Sequence, residues 1–216
     1  MPTVTDSVTL VRPVLGIVRL AVAVLLLAAV IATHLDAASR GPVNVFNIYG
    51  YFTIQSNLLS AGALIALGIT AVRGRVPGPV LTLVRAIATT CIVIVGIVYA
   101  VLLAPIAAEV GIDLPWANAV LHYVAPIVVA LDWLLLGDRV VIPWRRIWWV
   151  LLYPFVWTVV VLIRGATDGW VPYPFLNPAQ GYGIVSLYCV AILVVFVVVG
   201  LLVLLASRFR GVLLRR

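Results

Sequence analysis

Apolar runs long enough to cross a bilayer recur six times along the chain, over residues 14–32, 47–72, 80–103, 116–136, 144–163 and 182–205. Each is close to the ~20 residues needed to span the hydrocarbon core. In lipid the backbone must satisfy its own hydrogen bonds, so runs of this length fold as helices. The composition, 65% hydrophobic and 10% charged with a mean hydropathy of +1.24, leaves no polar stretch large enough for a soluble domain. Residues 1–216 are therefore expected to form one all-α integral membrane domain, a bundle of six transmembrane helices.

All 14 basic residues are arginine. Arg12 precedes the first run, Arg73 and Arg75 follow the second, and Arg139, Arg145 and Arg146 lie between the fourth and fifth. Arg208, Arg210, Arg215 and Arg216 follow the sixth, whereas the remaining loops carry only Arg40 and Arg164. Positive charge is retained on cytoplasmic loops, which predicts that both termini are cytoplasmic. The net charge of +7 is then a topology signal and not a nucleic-acid footprint. Arg12, the first run and "LDAAS" imitate a signal peptide, but the length of the run and Arg19 within it favour a retained span. Cys91 and Cys189 both fall inside runs, where a thiol packs as a small hydrophobe, so neither a disulfide framework nor a metal site is expected.

Charged residues inside spans are costly and mark interior positions. Arg19, Arg85 and Asp132 each lie about four to six residues from the cytoplasmic side, forming an inner polar layer. Two readings apply: an ion or proton path, or a structural ion pair that locks the helices, with the arginines reaching toward the interface.

An outer layer holds Thr53, Ser56, Asn57 and Ser60, spaced i, i+3, i+4 and i+7 on one helical stripe, with Gln55 off that face. If the second span opens near Asn47, Thr53 lies about six residues deep, the same depth as His122 counted from Trp116. Asn118 shares the face of His122, and Pro126 follows one turn later. One reading is packing: hydroxyls bond their own i−4 carbonyls, while Asn and His bridge helices. The other is chemistry, with Thr53 as nucleophile and His122 as base. Asn57 or Asn118 would then donate to an oxyanion, with Ser56 in support. No carboxylate stands at that depth, although Glu109, Asp113 and Asp168 lie in outer loops. His34 and His122 sit at different depths and do not make a metal or haem site, so no cofactor is expected. The outer loop "RGATDGWVPYPFLNPAQGY" (164–182) is stiffened by Pro172, Pro174 and Pro178. Its Trp170, Tyr173 and Phe175 suit either a lid over a lipid-accessible pocket or an aromatic anchor at the interface.

Three segments carry a family likeness: "YGYFTIQSNLLSAG" in the second span, "WANAVLHYVAPIVV" in the fourth, and "DGWVPYPFLNP" in the loop after the fifth. The chain resembles the androgen-induced-gene membrane hydrolases, which in animals cleave fatty acid esters of hydroxy fatty acids, and is similar to their prokaryotic six-helix relatives. The resemblance implies that Thr53 of the "FT" pair is the nucleophile and His122 of the "W-x-N-x-x-x-H" pattern its partner. Trp116 and Asn118 match the earlier positions of that pattern. The loop pattern maps onto Trp170, Val171, Tyr173, Pro174, Phe175 and Leu176, with Pro172 as an inserted residue, and implies a pocket wall or lid. The segment "IQSN" after Thr53 is more polar than in the animal proteins. The likeness implies a bacterial inner-membrane hydrolase acting on a membrane lipid acyl ester, without cofactor, metal or nucleic-acid partner, and implies no oligomeric state. Rival readings are a small transporter or channel built on Arg19, Arg85 and Asp132, and a non-catalytic lipid-binding protein.

Overall fold

The computed structural model describes residues 4–106, 114–209 and 211–213, and no strand occurs among them. Glu109, Asp113, Arg210, Arg215 and Arg216 lie outside the described residues. Six helices are long and apolar enough to cross a membrane, over Val11–Ser39, Phe52–Val72, Pro79–Ile106, Pro115–Leu135, Trp144–Thr167 and Tyr182–Ala206. In chain order the α-helices are α1 (Val4–Ser39), the single turn α2 (Val45–Ile48), α3 (Phe52–Val72) and α4 (Pro79–Val98). They are followed by α5 (Pro115–Ala119), α6 (Ala125–Leu135), α7 (Ile147–Thr167) and α8 (Tyr182–Ala206).

The second span differs from expectation at its N-terminal end. It does not run unbroken from Asn47: α2 is capped by the Asn44 side chain, the chain turns through Tyr49, Gly50 and Tyr51, and α3 starts at Phe52. The break is clamped from outside. The Gly50 carbonyl accepts the Trp157 indole N–H at 2.8 Å, and a Cβ at Gly50 would stand 2.5 Å from the Trp170 ring and 2.6 Å from the Phe46 carbonyl. Thr53 is therefore the second residue of its helix and not a residue well inside it.

Two other helices widen at the same end of the bundle. A π turn over Tyr99–Leu103 continues α4, and another over Val120–Val124 joins α5 to α6. Pro105 and Pro126 each follow two residues after these turns. A proline lacks the N–H for the regular i−4 bond and its ring crowds that carbonyl, which opens the preceding turn. Such widened turns recur at functional sites.

Helix α4 runs through the middle, packed against α3, α6, α7 and α8, while α1 lies along α3. Lipid tails are as apolar as leucine, so close backbone approach has to supply the association that water would otherwise drive. Gly16 and Gly68 provide it: a Cβ at Gly68 would lie 2.9 Å from the Gly16 carbonyl oxygen, and one at Gly16 would lie 2.8 Å from that of Gly68. The outward faces expose large apolar side chains such as Val24, Trp148, Phe155 and Leu187.

This packing separates two glycines of one helix. Gly68→Ala should destabilise the protein by about 1–3 kcal/mol through overpacking. Gly62→Ala, with nothing within 4 Å of its added Cβ, should be neutral or stabilising by up to about 1 kcal/mol. Thermal unfolding in detergent reads both, at about 2–4 °C per kcal/mol for a chain of this size; equal midpoints for the two variants would refute the close-approach account.

Candidate functional site

Most threonine hydroxyls in the described membrane-length helices bond their own helix, although the buried hydroxyls of Thr82 and Thr89 have no hydrogen-bond partner among the described residues. The hydroxyls of Thr33, Thr70, Thr90, Thr158 and Thr167 all donate to the carbonyl four residues back. Thr53 has no helical carbonyl four residues behind it, because α3 begins one residue earlier. Its hydroxyl turns outward from its own helix and meets His122 Nε2 at 3.3 Å and the Tyr173 hydroxyl at 3.3 Å. The main-chain N–H of Thr53, left without an intrahelical partner at the helix start, donates to the Tyr173 hydroxyl oxygen at 3.2 Å.

The directions of these bonds follow from the one group that can only accept. His122 Nδ1 lies 3.1 Å from the main-chain carbonyl of Asn118, so Nδ1 carries the proton and Nε2 of the neutral ring is an acceptor. Thr53 then donates to Nε2. With that hydrogen committed, the contact between Thr53 and Tyr173 is a donation from the phenol to Thr53 Oγ1. Burial first, against smaller effects from the Thr53 hydrogen bonds, pushes the Tyr173 phenol up to about 12, which keeps it a donor at neutral pH.

Asn118 holds the imidazole twice: its carbonyl fixes the tautomer, and its amide donates at 2.7 Å to the hydroxyl of Tyr99. The Tyr99 ring stacks on His122 at 4.1 Å. Gly96 lets Pro126 of α6 approach α4 just below, since a Cβ there would meet the proline ring at 2.9 Å. Asn57 donates to the carbonyls of Thr53 at 2.9 Å and Leu121 at 3.2 Å. Both its amide hydrogens are engaged, so it ties α3 to the His122 segment instead of facing the Thr53 hydroxyl. Ser56 and Ser60 are buried beside it, and neither hydroxyl has a hydrogen-bond partner among the described residues. Gln55 is on another face, bonded to the Tyr49 carbonyl and the Tyr153 hydroxyl.

Two cavities meet at this point, and Thr53, Tyr99, Leu103 and Tyr173 border both. The first, of about 290 Å³, is walled by apolar residues including Ile94, Leu151, Trp157, Phe175 and Phe196. It opens sideways, because its lining residues Phe155, Val190 and Leu193 also lie on the exposed apolar surface. The second, of about 430 Å³, includes Asp36, Tyr51, Asn118 and His122 in its wall.

The loop after α7 enters the bundle instead of lying across it: Tyr173, Phe175 and Leu176 are buried. Tyr173 stacks on Phe175 and meets Tyr51 edge-on. Pro174 lines the second cavity, whereas Trp116 and Trp170 line neither. Trp170 packs under the Arg164 guanidinium. The Asp168 carboxyl is spent locally, accepting from the Trp170 N–H and the Arg164 guanidinium, which hold its pKa below the usual value. Sequence reasoning missed Tyr99, which sits among ordinary span residues, and Asp36, which it read only as part of "LDAAS" after the first run. Only the fold turns them to the cavities. His34 packs against Tyr49 and lines neither cavity.

The inner layer is larger than the three residues expected. Arg19 bonds Asp132 at 2.7 Å and Asp138 at 2.6 Å, and Arg85 bonds Asp138 at 2.8 Å and Asp132 at 2.6 Å. Asp138 was not anticipated, since it lies beyond the end of α6 in what reads as a loop. Arg139, counted from sequence among the loop arginines between the fourth and fifth runs, is buried against Trp133 and donates to the carbonyls of Leu136, Ala206 and Phe209. It closes the C-terminal end of α8, where unpaired carbonyls and the helix dipole favour a cation. Burial raises the Asp138 carboxyl, but the Arg19 hydrogen bond and the charges of Arg85 and Arg19 outweigh it and bring it down to about 2.

A carboxyl lower in the folded state than its unfolded value near ~3.9 contributes stability above that value and loses it as pH falls toward 2. Thermal midpoints should therefore hold down to about pH 5 and fall between about pH 4 and 2. Asp138→Asn should be less stable by about 3–5 kcal/mol near neutrality, because it strands buried arginine charge, and its acid decline should be shallower. A mutant as stable as wild type would remove the lock.

Searches against protein-family models, curated proteins and solved structures each return no match for this chain.

Proposed function

We propose that the protein is a membrane-embedded hydrolase of lipid acyl esters, with Thr53 as nucleophile and His122 as general base. The observation that carries this reading is the Thr53 hydroxyl, freed from its own helix and directed at the unprotonated Nε2 of His122 where two cavities join. The separation of 3.3 Å is at the loose end for a working pair, as is common before substrate binds.

An acyl chain fits the apolar cavity open toward lipid, where each buried CH₂ contributes about 0.8 kcal/mol, and the alcohol part occupies the second cavity. Thr53 Oγ1 bonds to the ester carbon while its proton passes to His122 Nε2, and the carbonyl pair moves to oxygen. Collapse of this intermediate breaks the bond to the leaving alcohol, which takes the proton from Nε2. Water then adds to the threonine ester and gives a proton to Nε2. The second collapse breaks the bond to Oγ1, which takes that proton back and frees the acid. The imidazole needs no carboxylate for orientation in this scheme, since the Asn118 carbonyl and the Tyr99 ring fix it.

The likeness of three segments to the androgen-induced-gene hydrolases supports the same assignment. The arginine distribution supports a bacterial inner-membrane orientation with both termini cytoplasmic, which puts the Thr53 end toward the outside. The mutual pairing of Arg19, Arg85, Asp132 and Asp138 supports a lock at the inner end over a transport path.

A fluorophosphonate probe tests the nucleophile directly. Detergent-solubilised wild type should form a covalent adduct that peptide mapping locates at Thr53. Thr53→Ala should not label, His122→Ala should label at least about 10²-fold more slowly, and Ser56→Ala should label like wild type. Folded wild type that forms no adduct at Thr53 across probes of several chain lengths would overturn the proposal.

A further inference from the structure

The acyl-transfer reading creates a negative oxygen beside Thr53, and the two amides expected to serve it are engaged elsewhere, Asn57 on the carbonyls of Thr53 and Leu121 and Asn118 on the Tyr99 hydroxyl. From the geometry we infer that the Tyr173 hydroxyl is the oxyanion donor of this site, an inference that rests on Thr53 being the nucleophile. The phenol is in direct hydrogen-bond contact with Thr53 Oγ1 and is not committed to a main-chain carbonyl. It lies 3.3 Å from Thr53 Oγ1, and it borders both cavities, so it stands at the junction an ester carbonyl must occupy.

Its hydrogen is also correctly assigned for the task. The phenol oxygen accepts the Thr53 main-chain N–H, the Thr53 hydroxyl hydrogen is committed to His122, and the phenol hydrogen therefore rests on Oγ1. When Oγ1 bonds to the ester carbon, the new oxyanion is attached to the neighbouring atom. A small rotation about the phenol C–O bond moves the hydrogen bond from Oγ1 to that oxygen. No proton is transferred: the phenol stays protonated and the charge is stabilised by the bond alone. The N–H behind it, at the start of α3, polarises the phenol further in the same direction.

The ring is built to hold this position. Pro174, which follows Tyr173, keeps its backbone extended, and its ring lies between Phe175, stacked, and Tyr51, edge-on. With the ring held, the reorganisation needed as charge develops is confined to the rotation of the phenol hydrogen.

Tyr173→Phe keeps the ring and removes only the hydroxyl. Fluorophosphonate labelling at Thr53 should slow by about 10²-fold or more, with a cooperative unfolding transition whose midpoint falls by only a few degrees from the loss of the Thr53 N–H partner. A second probe separates charge stabilisation from pocket shape. An alkyl trifluoromethyl ketone, whose adduct with Thr53 carries an oxyanion, should protect wild type from labelling far better than the variant. A matching alkyl ether, which forms no adduct, should protect both equally. Labelling of Tyr173→Phe at the wild-type rate would overturn the oxyanion role and leave Thr53 as nucleophile. Equal weakening of ketone and ether would reduce Tyr173 to a wall of the pocket and would also overturn it. Wild type that forms no adduct at Thr53 would remove the underlying reading and this inference with it.

Discussion

The outer site depends on a missing carbonyl. Inside a helix a threonine hydroxyl can bond the carbonyl one turn back, and five threonines of this chain do so. Breaking the chain at Tyr49–Tyr51 and restarting it at Phe52 removes that partner for Thr53 alone among the residues of the site. The same break leaves the Thr53 N–H unpaired, and both groups are satisfied by residues from distant parts of the chain, His122 and Tyr173. The Trp157 indole and the Trp170 ring hold the break in place by filling the space around Gly50.

Two prolines supply the other half of the geometry. The π turns ahead of Pro105 and Pro126 widen α4 and the α5–α6 helix where they face each other, and Tyr99 and His122 stack in the widened region. An irregular backbone is tolerated at membrane depth only where it is buried in protein or lines a cavity. Both turns satisfy that condition, since Tyr99, Leu103, Leu121 and His122 all line the cavities.

The two ends of the bundle handle polarity in opposite ways. At one end two arginines and two aspartates satisfy one another, and Arg139 closes the end of α8. Such a network contributes little net attraction after desolvation but penalises any arrangement that separates the partners, so it selects one packing of α1, α4 and α6. At the other end, around Thr53, the polar groups form a chain of single hydrogen bonds beside open volume. Strong mutual pairing suits a lock, and donors and acceptors facing a cavity suit ligand chemistry.

Much of this was legible in the residues. Six apolar runs fixed the number and order of the helices, because lipid allows the backbone little besides helix. The spacing of Thr53, Ser56, Asn57 and Ser60 placed them on one buried face, and the excess of polar groups on two helices marked His122 and Thr53 as candidates. The start of α3, the burial of Asp138 and Arg139, the turning inward of Tyr173 and the position of Tyr99 were not legible. Each is decided by contacts between residues far apart in the chain: a tryptophan from α7 against Gly50, arginines from α1 and α4 against Asp138, and the Thr53 N–H against a loop phenol. Hydrophobic length and periodicity are local properties and determine which segments become helices; which polar side chains share a cavity depends on helix rotation and on where a helix begins, and only tertiary packing decides those.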